Sequence, residues 1–440
     1  MDRLDKFFPL VKNEYIKIYK KTSSRILLVI FLAVCLCFAP LMKLINNSGI
    51  KDYASASMGM SDSEYLKNSI KDKKREIENS PDMPLREERL ALIEAVDTDS
   101  DWQAEAYRQG MYTDSKREVQ TMTMLCKTDD WRGFCKYNID NSESERDKWV
   151  YKYKLEHDIG YGEEFNEKNA LLFKIGSALE GETYGSQSAE EVVAIGMYQL
   201  EHEIYDNTSD KNVPLLDMDH YEPFDFWDVM LKIPYVESFI GIIMLMIAGG
   251  IVASEFSQGT IKFLLISPVQ RSKILAAKYF TVISLGFLMM LMMFLINIPM
   301  VGLLFGFKGI SLPYLSLVDG EVVAQSTFVF LIKNFMLKSV QVMITTTLAF
   351  MISSLMRSTG LAIVAGFILN SIGAPLIAIM VTFKMDWGRY LIFANTDLQT
   401  IYNGASPFPQ HSLGFAVVVV IAHMAVFLLT AWDGFTRRSV

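Results

Sequence analysis

The sequence predicts an all-α integral membrane protein: six transmembrane helices, with a large, mainly helical extracytoplasmic domain between the first and second. Three observations lead there. The apolar residues of the 440-residue chain are gathered into long blocks, and a bilayer core of roughly 30 Å needs about 20 apolar residues as a helix. One long polar stretch, Asn46 to Ile233, holds 22 Lys/Arg against 40 Asp/Glu, a net of −18, whereas the remainder holds 20 against 10, a net of +10. The basic residues of that remainder sit beside the apolar blocks, where they act as topology signals. A nucleic-acid binder would carry its cations on a solvated domain, so no nucleic-acid partner is expected.

Residues 1–25 are polar and basic, with Phe7, Val11, Tyr15 and Ile18 at helical spacing among five lysines. That pattern predicts a cytoplasmic amphipathic arm lying in the membrane interface, its lysines near anionic headgroups. The first block, Ile26 to Ile45, is too long for a signal core and lacks a small-residue cleavage site, so it reads as a retained anchor. The acidic stretch, residues 46–233, is long enough at 188 residues to bury its own core. Helices are expected at Ser61 to Ser80, from Pro84 with Leu85, Arg89, Leu92 and Val96 on one stripe, and at Asp101 to Cys126. Others are expected at Glu143 to His157, Glu163 to Leu179 and Ala189 to Ile204. The remaining spans follow in residues 234–440: Pro234 to Ala253, Tyr279 to Phe305, Phe328 to Met356, Leu361 to Phe383 and Phe415 to Trp432.

Orientation follows from the short basic segments. The arm carries seven Lys/Arg, and the segment between spans two and three carries Lys262, Arg271, Lys273 and Lys278. Arg357 and the tail residues Arg437 and Arg438 fall on the same side. Both termini are therefore expected in the cytoplasm of a multi-pass plasma-membrane protein, with the acidic domain and the Lys308 to Gln325 loop outside. Lys384 and Arg389 oppose this assignment. Cys35 and Cys37 lie within the first span as small apolar filler. Cys126 and Cys135 lie nine residues apart in the acidic domain, where an extracytoplasmic setting permits a disulfide that spacing does not decide.

The most informative stretch joins spans two and three, residues 254–278. It places Glu255 before Gly259-Thr260, then Lys262, a Leu264-Leu265 pair, Ser267-Pro268, Arg271 and Lys278. This pattern resembles the permease subunits of type-2 ATP-binding-cassette exporters. The Asn13-Glu14-Tyr15 arm and the Asp433 to Arg438 tail are similar to that family more loosely, and the acidic domain is not covered. The resemblance implies a coupling helix that docks in a separate ATPase, with Glu255, Gly259, Thr260, Lys262, Pro268, Arg271 and Lys278 as its residues. It also implies a second permease, identical or not, and ATP with magnesium on the partner ATPase. Read physically, Glu255 and Lys262 can present charge to a partner, Gly259 can break a helix and Pro268 can end one. Arg271 can clamp a carboxylate or a backbone carbonyl. The chain has no GxxxxGK[ST] loop, so it is not expected to hydrolyse ATP or to carry a cofactor of its own.

Polar groups inside spans mark either a pathway or helix packing. Asn297, Asn370, His423 and Glu237 are candidates for a translocation path. Phe287, Met289, Met290, Met292, Met293 and Phe294 form a greasy surface in span three. His202-Glu203 lacks the second histidine of a zinc-hydrolase helix, and Asp217-Met218-Asp219-His220 reads as a solvated acidic loop, so no metal site is expected. The cargo is expected to be amphipathic or lipid-like. The alternative function is an ectodomain ligand sensor with little transport, which would call for a cytoplasmic output domain.

Overall fold

A computed structural model describes residues 7–56, 62–97, 100–160, 167–181, 187–211, 224–260, 269–318, 320–403 and 406–437. Five of its helices are long and apolar enough to cross a membrane. They are α2 (Thr22–Ala56, with Thr22–Asn47 as the apolar part), α14 (Arg271–Phe305), α15 (Thr327–Leu355), α16 (Thr359–Thr382) and α18 (Leu413–Thr436). The chain is an integral membrane protein of mainly helical build. Six such helices were expected. The second expected span is instead α12 (Glu237–Ile251), whose 15 residues extend about 22 Å, short of a bilayer core.

The shortness of α12 reflects its place. It is apolar nearly all round, and Ile240, Ile243, Met244, Leu245, Ile247 and Ala248 are all buried, as suits a helix enclosed by others. It packs mainly on α15, and also on α14 and α16. The helix stops at Val252, where the amides of Val252 and Ala253 turn to Ser353 Oγ at 3.1 and 3.0 Å, and α13 (Ala253–Ser257) follows. The α12–α15 pair is thus the centre of the bundle, while α2, α16 and α18 keep broad apolar faces outward.

The arm forms α1 (Phe7–Lys20), but it does more than lie in an interface. Val11, Glu14 and Ile18 are buried against the bundle, and Tyr15 Oη meets Ser284 Oγ on α14 at 2.7 Å. Helix α14 starts at Arg271, so the expected loop residues Arg271 to Lys278 are its first two turns. Of the greasy set in this helix, Met289, Met290 and Met293 are core, whereas Phe287 and Met292 face out.

Between α2 and α12 lies a helical domain: α3 (Asp62–Glu78), α4 (Arg86–Ala95), α5 (Asp101–Tyr112), α6 (Lys116–Thr128), α7 (Trp131–Asn141), α8 (Glu145–Glu156), α9 (Glu167–Leu179), α10 (Ala189–His202) and α11 (Phe226–Met230). Ile77, Leu92, Val119, Met122 and Phe134 form its dry centre. The single helix expected from Asp101 to Cys126 is two, because Thr113 is extended and Ser115 caps α6 by accepting the Glu118 amide. Helix α7 was not expected. Asp130 starts it by accepting the Gly133 amide. Cys126 and Cys135 are both buried in this core as free thiols, so the disulfide left open by the spacing is not formed. Burial, with Asp129 nearby, pushes the Cys126 thiol up to about 12.

Two segments expected as loops are instead folded, and one of them adds a small element of sheet. The loop expected at Lys308 to Gln325 contains an antiparallel hairpin, β1 (Pro313–Val318) and β2 (Glu321–Ser326), paired from Pro313↔Ser326 to Val318↔Glu321. Gly320 takes the positive φ of 87° that a two-residue turn demands. The long segment after α16 also folds, into short 3-10 turns and α17 (Leu398–Tyr402), packed on α15 and α18.

Helix α11 packs in the core of the bundle, and polar contacts at Asn46 and Thr208 tie the helical domain to it as well. Asn46 Oδ1 accepts the Phe224 amide at 2.9 Å, which closes the chain's exit from α2 against its return. Thr208 donates its amide to the Pro313 carbonyl at 3.0 Å and shares a 2.8 Å hydroxyl contact with Thr327. Helix α10 packs on both hairpin strands.

Candidate coupling site

The segment between α12 and α14 begins and ends in one buried ionic cluster. Lys278, on the second turn of α14, is only 1% exposed in its side chain. An ammonium group has three protons to donate, and the three acceptors here are Glu14 Oε2 at 2.7 Å, Glu255 Oε1 at 3.1 Å and the Ile251 carbonyl at 3.3 Å. Lys17 reaches the same two carboxylates, Glu14 Oε1 at 2.9 Å and Glu255 Oε1 at 3.0 Å. Each buried carboxylate thus faces a buried ammonium, Lys278, and a half-exposed one, Lys17, as charges shielded from water require. Thr260 donates its hydroxyl to Glu255 Oε2.

This geometry corrects the reading of Glu255 as a charge offered to a partner. Its side chain is 10% exposed and turned inward. Burial alone would raise its carboxyl, but Lys278, with hydrogen bonds from Thr260 and Lys17, outweighs burial and holds it down at about 2. For Lys17 burial likewise works downward, and Glu14 and Glu255 reverse it, so the ammonium stays above its ordinary range.

Gly259 has φ 71° with open space where a Cβ would stand, and it ends α13 just after Gln258. At the far end, Arg271 Nη1 donates to the Thr436 carbonyl at 3.3 Å. That carbonyl belongs to the last residue of α18 and has no acceptor role inside its helix. Lys262 and Pro268 lie outside the described residues. Gln258, Gly259 and Gln270 face outward. The segment is therefore held at both ends and exposed at its turns.

The polar residues expected to line a path each have a local contact. Asn297 is wholly buried, with Nδ2 on the Met293 carbonyl at 2.8 Å. Asn370 lies on the outer face of α16 and accepts from Thr345 at 3.3 Å. His423 contacts the Val419 carbonyl at 2.9 Å. Glu237 lies 3.5 Å from Lys338, which also meets Asp397 at 2.8 Å. Asp217 to His220 lie outside the described residues, among which no cluster of metal-ligating side chains occurs.

Sequence reasoning missed Glu14, Lys17 and Ser353 as parts of the site. Glu14 had a legible signal: it falls on the Val11–Ile18 stripe, a carboxylate on an apolar helix face. Ser353, inside a hydrophobic helix, had none.

Residues 205–440 match the family model of DUF2705, described as a protein of unknown function. The chain belongs to that family. The matched part of this DUF2705 member covers α11 to α18 and the hairpin, while α1 to α10 lie before it. The chain is similar to YhcI of Bacillus subtilis (strain 168), an uncharacterized protein, with 30% identity over 254 residues, 57% of this chain and 76% of YhcI. It is also similar to YdbK of the same organism, an uncharacterized membrane protein, with 29% identity over 210 residues, 47% of this chain and 80% of YdbK. No solved structure matches it.

Two outcomes test the cluster. Lys278→Met leaves Glu14 and Glu255 sharing the half-exposed Lys17 alone, one buried negative charge unanswered, and should cost about 3–5 kcal/mol, read as a lower melting temperature in detergent. Adding Glu14→Gln and Glu255→Gln to it should recover much of that loss. The second outcome concerns pH. Glu255 is depressed on folding, from 4.5 to about 2. Its stabilising contribution is therefore complete above the unfolded value and lost as pH falls through the folded one. Melting of the wild type should drop from about pH 4.5 downward, and Glu255→Gln should flatten that part of the curve.

Proposed function

We propose that this chain is the membrane-spanning permease subunit of an ATP-driven exporter, powered by a separate ATPase. The observation that carries the reading is the segment from Ala253 to Lys278. It bears the exporter-like pattern, its ends are locked into the bundle through Glu255, Arg271 and Lys278, and Gln258 and Gln270 are free to meet a partner. A push on that segment acts directly on α14, a continuous helix of 35 residues about 52 Å long. Near the far end of α14, Trp227 Nε1 holds the Gly309 carbonyl at 2.8 Å, so the same displacement reaches α11.

In this reading α12, with the turns flanking it, makes the sixth crossing, and both termini are cytoplasmic in the plasma membrane. The acidic domain then lies outside, fixed above the exit through Asn46, Thr208 and the hairpin. A second permease completes the transport unit, and an amphipathic or lipid-like cargo suits the apolar bundle.

Purification of the full chain in mild detergent should bring down a chain carrying a GxxxxGK[ST] loop, identified by mass analysis. Gln258→Arg with Gln270→Arg should lower both its recovery and its stimulated ATPase rate about tenfold without changing the elution of the permease. Recovery of no nucleotide-binding chain, or full coupling in the double variant, removes the reading. Independently, protease added to intact cells should cut within residues 46–233. Protection of that region would invert the orientation.

A further inference from the structure

Three cations stand where α1 meets α2: Lys21 turns its Nζ toward Gly250 and lines a small pocket with Glu14 and Glu255, which leaves Lys20 and Arg25 at the outer corner. Lys20, Lys21 and Arg25 are exposed, and no ion pair among the described residues involves any of them. Arg25 folds back so that Nη2 donates to the Lys20 carbonyl at 3.0 Å, which keeps its guanidinium at the corner. The amides of Thr22, Ser23 and Ser24, at the start of α2, have no backbone acceptor among the described residues. A helix start of this kind favours negative charge. Its neighbours Lys20 and Arg25 are positively charged, so the corner is complementary to an anion twice over.

Directly below runs a groove of about 290 Å³ lined by Thr22, Arg25, Ile26, Val29 and Ile30. These positions share one stripe of α2. The stripe is polar at the corner and apolar beyond it, where Ile26 and Val29 are 55% and 66% exposed. Tyr19, exposed on the last turn of α1, stands at the same level as the cations, as aromatic residues do at a membrane interface. A ligand that fits both parts has an anionic head and a hydrocarbon tail.

We propose that this corner binds an anionic glycerophospholipid, its phosphate held by Lys20 and Arg25 and one acyl chain laid along Ile26, Val29 and Ile30. The bound lipid presses α1 onto the bundle. Lys17, one turn before Lys20, belongs to the Glu14–Glu255–Lys278 cluster, so lipid charge bears on the same ionic knot. The assignment does not depend on an ATPase partner, and only the choice of leaflet depends on the orientation proposed above.

Native mass spectrometry of the full chain, supplied with phosphatidylglycerol and phosphatidylcholine, tests it. The wild type should retain phosphatidylglycerol about tenfold better, and Lys20→Gln/Arg25→Gln should bring the two lipids to parity. Lys308→Gln/Lys333→Gln, which removes exposed cations elsewhere, should leave the preference intact. Val29→Trp, which fills the groove without touching charge, should weaken retention of phosphatidylglycerol. If the double variant does not elute like the wild type, Arg25→Gln alone must show a loss of about threefold. Equal retention of both lipids by the wild type overturns the proposal, as does an unchanged preference in the double or single variant. Displacement of the lipid by free glycerol phosphate at equal concentration also overturns it, because the groove would then contribute nothing.

Discussion

Lys278 places an ammonium group where water does not reach, and the surrounding elements are arranged to answer its three protons. Glu14 comes from α1, Glu255 from α13, and the Ile251 carbonyl from the end of α12. An unanswered charge in such a place costs several kcal/mol, so α1, α12, α13 and α14 cannot separate there one at a time. The contact spans 264 residues of sequence between Glu14 and Lys278. It makes the N-terminal arm part of the bundle, and it fixes the start of α14 relative to the segment that precedes it.

The rest of the bundle follows from where α12 must stop. Its carbonyl at Ile251 is available to Lys278 because the helix breaks at Val252, and Ser353 from α15 satisfies the amides that the break exposes. A break buried without such a partner would leave backbone groups unpaired in an apolar setting. At the opposite end the helical domain is attached by polar contacts at Asn46 and Thr208. The two attachments reach α2 and α15, so the domain spans an outer helix and a central one.

Much of the architecture was legible beforehand. The apolar blocks announced α2, α14, α15, α16 and α18, because hydrocarbon-length helices need composition alone. The helical domain was legible from its charged, Gly-poor stretches, apart from the break at Thr113 and helix α7, which local caps decide. The hairpin carried the Asp319-Gly320 dipeptide between alternating residues, a signal that the surrounding membrane spans obscured.

The sequence by itself determined that this chain is built of membrane-length helices with an acidic, helical domain set among them, and it singled out residues 254–278 by their motif. Only the tertiary structure decided that Glu255 turns inward, that Glu14 and Lys17 meet it, that α12 is short, and that the two cysteines stay apart as thiols. The physical reason is reach. Composition and periodicity report what a segment needs from its surroundings, over one or two helical turns. Which distant segment supplies it, as Glu14 does for Lys278, depends on how the helices stack, and no local pattern records that choice.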